Sequence, residues 1–158
     1  MKKKVYQIHD LVKKVRSWQE DGQSVVFTNG CFDLLHVGHV DYLEKSRMLG
    51  DKLVVGVNAD ASVNRLKGPE RPLNDENSRS RILASLMFVD AVVIFEEDTP
   101  LQLIETLKPN VLVKGSDYHL GNIVGANSVL ENGGKVLTVE LVEGYSTSGL
   151  VNKIKKSN

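Results

Sequence analysis

A chain of 158 residues is long enough to bury a core and short for two, so one domain over residues 1–158 is expected. Its 20 Lys and Arg balance its 20 Asp and Glu, which removes any general attraction to nucleic acid or acidic lipid. The longest apolar run is broken by Ser85 and Asp90 and Cys31 is the one cysteine, so the composition excludes a membrane span and an internal disulfide and fits a reducing cytoplasm.

The first lysines lead into Gln7, His9 and Asp10, so no secretory leader is expected. Ile8, Leu11, Val12, Val15 and Trp18 recur at helical spacing and predict a one-faced helix over residues 7–20, stopped by Gly22. Residues 25–27 read as a strand and 38–49 as a helix ended by Gly50. The apolar run at 52–57 predicts a strand buried on both faces, with Asp60 capping a short helix toward Leu66. Residues 67–75, with Gly68, Pro69 and Pro72, read as a basic mobile loop. A helix over 76–88 is expected to bury Ile82, Leu83 and Leu86, and 91–95 is a strand. Thr99-Pro100-Leu101-Gln102 matches a capping box opening a helix that Pro109 ends. A short strand at 111–113, a helix at 125–131, a strand at 136–141 and a helix capped by Ser146 or Thr147 complete the chain. This alternation predicts an α/β, Rossmann-like fold: about five parallel strands with helices on both faces. The polar segments all follow strands, so they should meet at the carboxyl edge of the sheet.

The most informative stretch is FTNGCFDLLHVGHVD, residues 27–41. It leaves a strand, turns through Asn29-Gly30 and enters a helix at about Gly38, between His36 and His39. A helix N-terminus presents unpaired N–H groups and the positive end of the macrodipole, and so suits an anion. Gly30 and Gly38 remove side chains where a ligand must approach, and two imidazoles can donate to phosphate oxygens. Zinc on Cys31, His36 and His39 is the competing reading, but no second Cys/His cluster supplies the remaining ligand.

T-N-G-C-F-D-x-L-H-x-G-H resembles the signature of the nucleotidyltransferase superfamily that includes the cytidylyltransferases. Arg65-Leu66-Lys67-Gly68, Phe95 to Pro100, Val113 to Tyr118 and Glu143 to Thr147 resemble its heptose 1-phosphate adenylyltransferase branch. Members of that branch are often fused behind a sugar kinase; here a stand-alone form is expected. The resemblance implies transfer of AMP from ATP, with Mg²⁺, to a sugar 1-phosphate. It implies catalytic roles for His36, His39 and Lys67. It places Thr28, Asn29, Gly30, Cys31, Phe32, Gly38, Arg79, Lys114, Gly115, Tyr145, Ser146 and Thr147 at the nucleotide, and Asp33 and Asp117 at the substrate. Within this set Cys31 also reads as a small packed residue, Arg79 as a helix-surface residue, and Asp33 as a turn cap.

No residue set resembles a nucleophile activated by a base. A phosphate acceptor is already an anion, so catalysis reduces to holding two anions in line and stabilising charge at the α-phosphorus. Partners are expected to be small molecules, without nucleic acid or membrane, and a homodimer is compatible. Three alternatives stay open at this point. One is a glycerol-3-phosphate cytidylyltransferase, although Leu141 stands where that branch carries arginine. The others are an FAD synthetase-like adenylyltransferase and a non-catalytic nucleotide-binding module.

Overall fold

Short runs of Val, Leu, Ile and Phe form strands here because branched side chains pack well on a pleated surface covered on both sides. The computed structural model describes residues 4–157. The order is β1 (Val5–Tyr6), α1 (Ile8–Glu20), β2 (Val25–Gly30), α2 (Val37–Arg47), β3 (Lys52–Asn58), α3 (Asp60–Lys67) and α4 (Glu76–Ser85). It continues through β4 (Ala91–Phe95), α5 (Leu101–Leu107), β5 (Val111–Gly115), α6 (Ala126–Glu131), β6 (Lys135–Val139) and α7 (Thr147–Lys156). The strands form one parallel sheet in the order β1-β4-β3-β2-β5-β6.

The expected Rossmann-like layout is therefore present, with six strands in place of about five. The added strand is β1, whose two residues pair with Val92 and Val93 of β4. Two residues carry no readable period, so only the partner strand reveals it.

Alternate residues of each strand face opposite layers. Val25, Phe27, Val54, Val93 and Leu112 pack under α1, α5 and α6 through Leu11, Val15, Trp18, Ile104 and Val129. Val26, Leu53, Val55, Val92 and Val113 pack under α2 and α4 through Tyr42, Leu43 and Leu83. Each fully buried side chain of this kind contributes about 1.5–3 kcal/mol relative to leaving it in water.

Two local expectations are corrected. Ile82 is 42% exposed, because α4 ends at Ser85 and turns Arg79, Ser80 and Leu83 inward. No capping box forms at Thr99: Pro100 is the N-cap of α5 and there is no side-chain capping bond. Among the described residues no helix is long and apolar enough to cross a membrane.

From β2 the chain crosses to β3 on one side, and later places β5 on the other. The carboxyl ends of β2 and β5 thus flank a switch point, where connections diverge and leave a crevice.

Candidate active site

The crevice is built from the end of β2. A Cβ at Gly30 would lie 3.0 Å from the Phe32 ring, so glycine lets that ring fold back under the strand end. Phe32 itself adopts φ 49°. A non-glycine residue in this left-handed region costs roughly 1–2 kcal/mol. Burial of the ring offsets it, with an edge-on contact to His39 at 5.3 Å between centroids. The reversal delivers His36 to the N-cap of α2 in an extended conformation. The His36 and His39 rings stack at 3.8 Å, and the His36 backbone N–H donates to His39 Nδ1 at 3.4 Å. With Nδ1 accepting, neutral His39 carries its proton on Nε2. A Cβ at Gly38 would meet His36 Nδ1 at 3.0 Å and Tyr145 Cβ at 3.1 Å, so glycine lets the turn close without pushing either side chain aside.

Burial, then the adjacent His36 ring, push His39 down to about 4, against the pull of the Leu34 carbonyl. Burial also lowers His36. Near neutral pH both imidazoles are uncharged hydrogen-bond donors before any ligand arrives. Full positive charge must come from lysine and arginine.

Lys114 is one source. Burial lowers it to about 8, although Asp117 favours its charge. Its Nζ donates to Asn29 Oδ1 and lies 5.6 Å from the Tyr118 ring centre, tying the ends of β2 and β5 together. Lys67 is the last residue of α3, exposed at the crevice, and Gly68 at φ 105° lets the chain turn away behind it. The second helix start is that of α7, where Ser146 Oγ accepts from the Gly149 N–H at 3.0 Å.

Two lobes open along this edge. The smaller, about 450 Å³, is lined by His36, Gly38, Gly115, Asp117, Tyr145 and Ser146, with apolar Leu141 and Val142. The larger, about 630 Å³, is lined by Asp33, Asn58, Arg71, Asp98, Thr99 and Asn122. Asn29, Gly30, Cys31, Phe32 and His39 border both, as do Lys67, Lys114, Tyr118 and Thr147. The sequence-predicted residues therefore converge, with three exceptions of role.

Thr28 is fully buried, and its hydroxyl pairs with Tyr42 Oη at 2.7 Å, which in turn donates to the Val113 carbonyl. It lines neither lobe and joins β2, α2 and β5. Arg79 is neither a phosphate contact nor a surface residue: at 1% exposure it is sealed inside. Its Nε donates to Asn74 O at 2.9 Å, Nη1 to the carbonyls of Cys31 (2.7 Å) and Asn58 (2.8 Å), and Nη2 to Asp60 Oδ1 at 2.7 Å. It braces the turn after β2 from behind. Asp33 faces the larger lobe with its carboxylate already engaged. Oδ1 accepts from the N–H groups of Leu73 (2.7 Å) and Asn74 (3.0 Å), and Oδ2 pairs with Arg71 Nη1 at 2.8 Å. Burial pushes this carboxyl up, but the Asn74 N–H, Arg71 and the Leu73 N–H outweigh it and hold it below the usual range. The loop at 67–75 is accordingly fastened at residues 71–74, where a mobile loop was expected.

Cys31 lies at the boundary of both lobes. Burial keeps its thiol protonated despite Lys67, Arg79 and Lys114 nearby. Residues of the larger lobe that were not assigned to the site from sequence include Arg71, Asp98, Thr99 and Asn122, and Asn58, expected only as a polar strand end at this edge. Asn58 ends a strand and Asp98-Thr99 follow one, which was a usable signal; Arg71 in its loop and Asn122 at the end of a short 3₁₀ turn carry none.

The chain is 57% identical over 142 residues to the bifunctional protein HldE of Magnetococcus marinus, covering 90% of this chain and 29% of that protein. It is 56% identical over 155 residues to that of Paramagnetospirillum magneticum, covering 98% and 31%. The chain thus spans about three-tenths of the length of these relatives. Among solved structures, a lipopolysaccharide core biosynthesis protein from Thermoplasma volcanium superposes with TM-score 0.63 at 30% identity, covering 79% of this chain and all of that one. A pantoate-beta-alanine ligase from Francisella tularensis, at 15% identity and TM-score 0.63, covering 98% of this chain and 78% of that one, shares the fold alone. The cytidylyltransferase-like family model matches residues 27–151, from the strand that opens the phosphate turn to the helix that closes the smaller lobe, and to that family this chain belongs.

Proposed function

We propose that this chain transfers AMP from ATP to D-glycero-beta-D-manno-heptose 1-phosphate, giving ADP-heptose and pyrophosphate by direct in-line attack. The observation that carries the reading is the pair of lobes sharing one wall of His39, Lys67, Lys114 and Thr147. The smaller lobe, with apolar Leu141, Val142 and Tyr145 beside two helix N-termini, suits a base joined to a triphosphate. The larger lobe sets the polar groups of Asp33, Asn58, Asp98, Thr99 and Asn122 beside apolar Val63, Leu66 and Val124, and suits a sugar with hydroxyls to bind and a ring face to cover. Asp117 lines only the smaller lobe, so we assign it to the nucleotide rather than the sugar. The similarity to the HldE proteins and to a protein of lipopolysaccharide core biosynthesis supports the acceptor's identity.

In this reading an oxygen of the acceptor phosphate attacks the α-phosphorus, and pyrophosphate leaves from the opposite side. The attacking oxygen is already anionic, so no general base is required. His36 and His39 donate to the oxygens on which charge builds, while Lys67 and Lys114 offset the charge passing to pyrophosphate. Among the described residues no three His, Cys, Asp or Glu side chains converge as a cage for a metal. We therefore treat Mg²⁺ as part of the MgATP substrate, held by phosphate oxygens. A single cysteine and an ATP substrate fit the reducing cytoplasm as its location.

The test is pyrophosphate release from ATP or CTP with a panel of acceptors: heptose 1-phosphate, glucose 1-phosphate, glycerol 3-phosphate and FMN. ATP with heptose 1-phosphate should be fastest. A preference for CTP with glycerol 3-phosphate, or for FMN, would replace the acceptor reading. Nucleotide binding without release from any pair would reduce the chain to a binding module.

A further inference from the structure

The cations of the two lobes are unevenly shared. Lys67 and Lys114 border both, so both are in reach of a triphosphate. Arg71 is the one lysine or arginine, among the described residues, that lines the larger lobe alone. Its guanidinium is part-buried and makes a single side-chain hydrogen bond, from Nη1 to Asp33 Oδ2 at 2.8 Å. The Nε and Nη2 edge has no protein partner among the described residues.

Asp33 does not depend on that bond to stay in place. Its Oδ1 keeps the N–H groups of Leu73 and Asn74, and its own carbonyl accepts from Asn74 Nδ2 at 2.8 Å. Asp33 follows Phe32 directly, inside the phosphate turn. A guanidinium hung from it is therefore positioned relative to His39 and Lys67 before any substrate binds. Preorganisation of this kind reduces the ordering cost of capturing a ligand. The other carboxylate of the lobe, Asp98, is matched by Arg65 at 2.7 Å, so it leaves Arg71 to an incoming anion.

We propose that Arg71 is the anchor for the acceptor's phosphate, its free edge gripping two phosphate oxygens while Asp33 holds the other side of the guanidinium. A planar fork with several donors suits a phosphate monoester, and a lysine ammonium reproduces the charge without the two-point geometry. The assignment rests on the adenylyltransferase reading given above.

The experiment measures kinetics and binding for wild type, Arg71→Ala and Arg71→Lys. Pyrophosphate release gives KM for each substrate. Calorimetry with the sugar 1-phosphate, in the presence of α,β-methylene ATP, gives binding without turnover. Arg71→Ala should raise KM and Kd for the sugar 1-phosphate roughly 10–100-fold, with KM for ATP changed less than about threefold. Arg71→Lys should recover part of the acceptor affinity, which a merely structural role would not predict. Equal losses for ATP and acceptor, or unchanged acceptor affinity in Arg71→Ala, would overturn the proposal while leaving the function intact. Wild type that binds the sugar 1-phosphate without releasing pyrophosphate would overturn the function while Arg71 is still judged on binding. No binding by wild type would overturn both.

Discussion

Replacing His39 with alanine is expected to lower kcat by on the order of a hundredfold or more, with the Kd for ATP changed only a few-fold. The imidazole sits in the first turn of α2, stacked on His36 and against Phe32, on the wall that both lobes share. A fixed donor aimed where charge develops stabilises the transition state more than the ground state, and removing one such donor typically costs 10²–10³ in rate. An unchanged kcat would mean that the turn binds phosphate without assisting its transfer. The same variant carries a second signature. Burial and His36 hold folded His39 at about 4, below its ordinary 6.5. Between those values the unfolded chain binds the additional proton. The residue's contribution to stability is thus fully present above 6.5 and is lost as the pH falls through about 4. Urea denaturation at about pH 4.5 and about pH 7.5 should show a smaller acid-side loss in His39→Ala than in wild type. An identical loss would place the acid sensitivity elsewhere.

The largest stability effect is expected at Arg79. Arg79→Ala would strip donors from three backbone carbonyls and from Asp60, and leave a void where a fully buried side chain stood. Breaking a buried charged network of this kind costs about 3–5 kcal/mol. For a chain of this size that corresponds to a fall of roughly 6–20 °C in Tm. Arg79→Lys should recover little, because one ammonium cannot serve acceptors spread over the Cys31 turn, the end of β3 and the Asn74 loop. A near-normal Tm with a selective rise in KM for ATP would instead mean that Arg79 reaches the phosphates.

These two residues illustrate what the sequence made legible. The geometry of the turn after β2 was readable because its information is local: a strand, Asn29-Gly30, and His36 and His39 around Gly38 lie within a few residues, and neighbours in sequence there are neighbours in space. The parallel sheet was readable for a similar reason, since β2, β3, β4 and β5 are continuous apolar runs. Arg79 was misread because its role is set by partners contributed by residues 31, 58, 60 and 74, which periodicity does not connect. On a helix an arginine ordinarily points to solvent. Thr28 was misplaced by one pleat: it sits in the phosphate-turn motif, but its side chain faces Tyr42 under α2. The fastening of residues 71–74 was hidden because glycine and proline signal a turn without revealing what the turn leans on. Here it leans on Asp33.

The central claim is a single displacement at the α-phosphorus, with two substrates held across one shared wall and no covalent enzyme intermediate. The most direct measurement uses ATP made chiral at that phosphorus by sulfur substitution and determines the configuration of the nucleotidyl product by phosphorus NMR. Inversion is the expected result, because one in-line attack by the acceptor phosphate turns the centre over once. Retention would require two successive displacements through an enzyme-bound nucleotide, and would contradict the direct transfer proposed for this site.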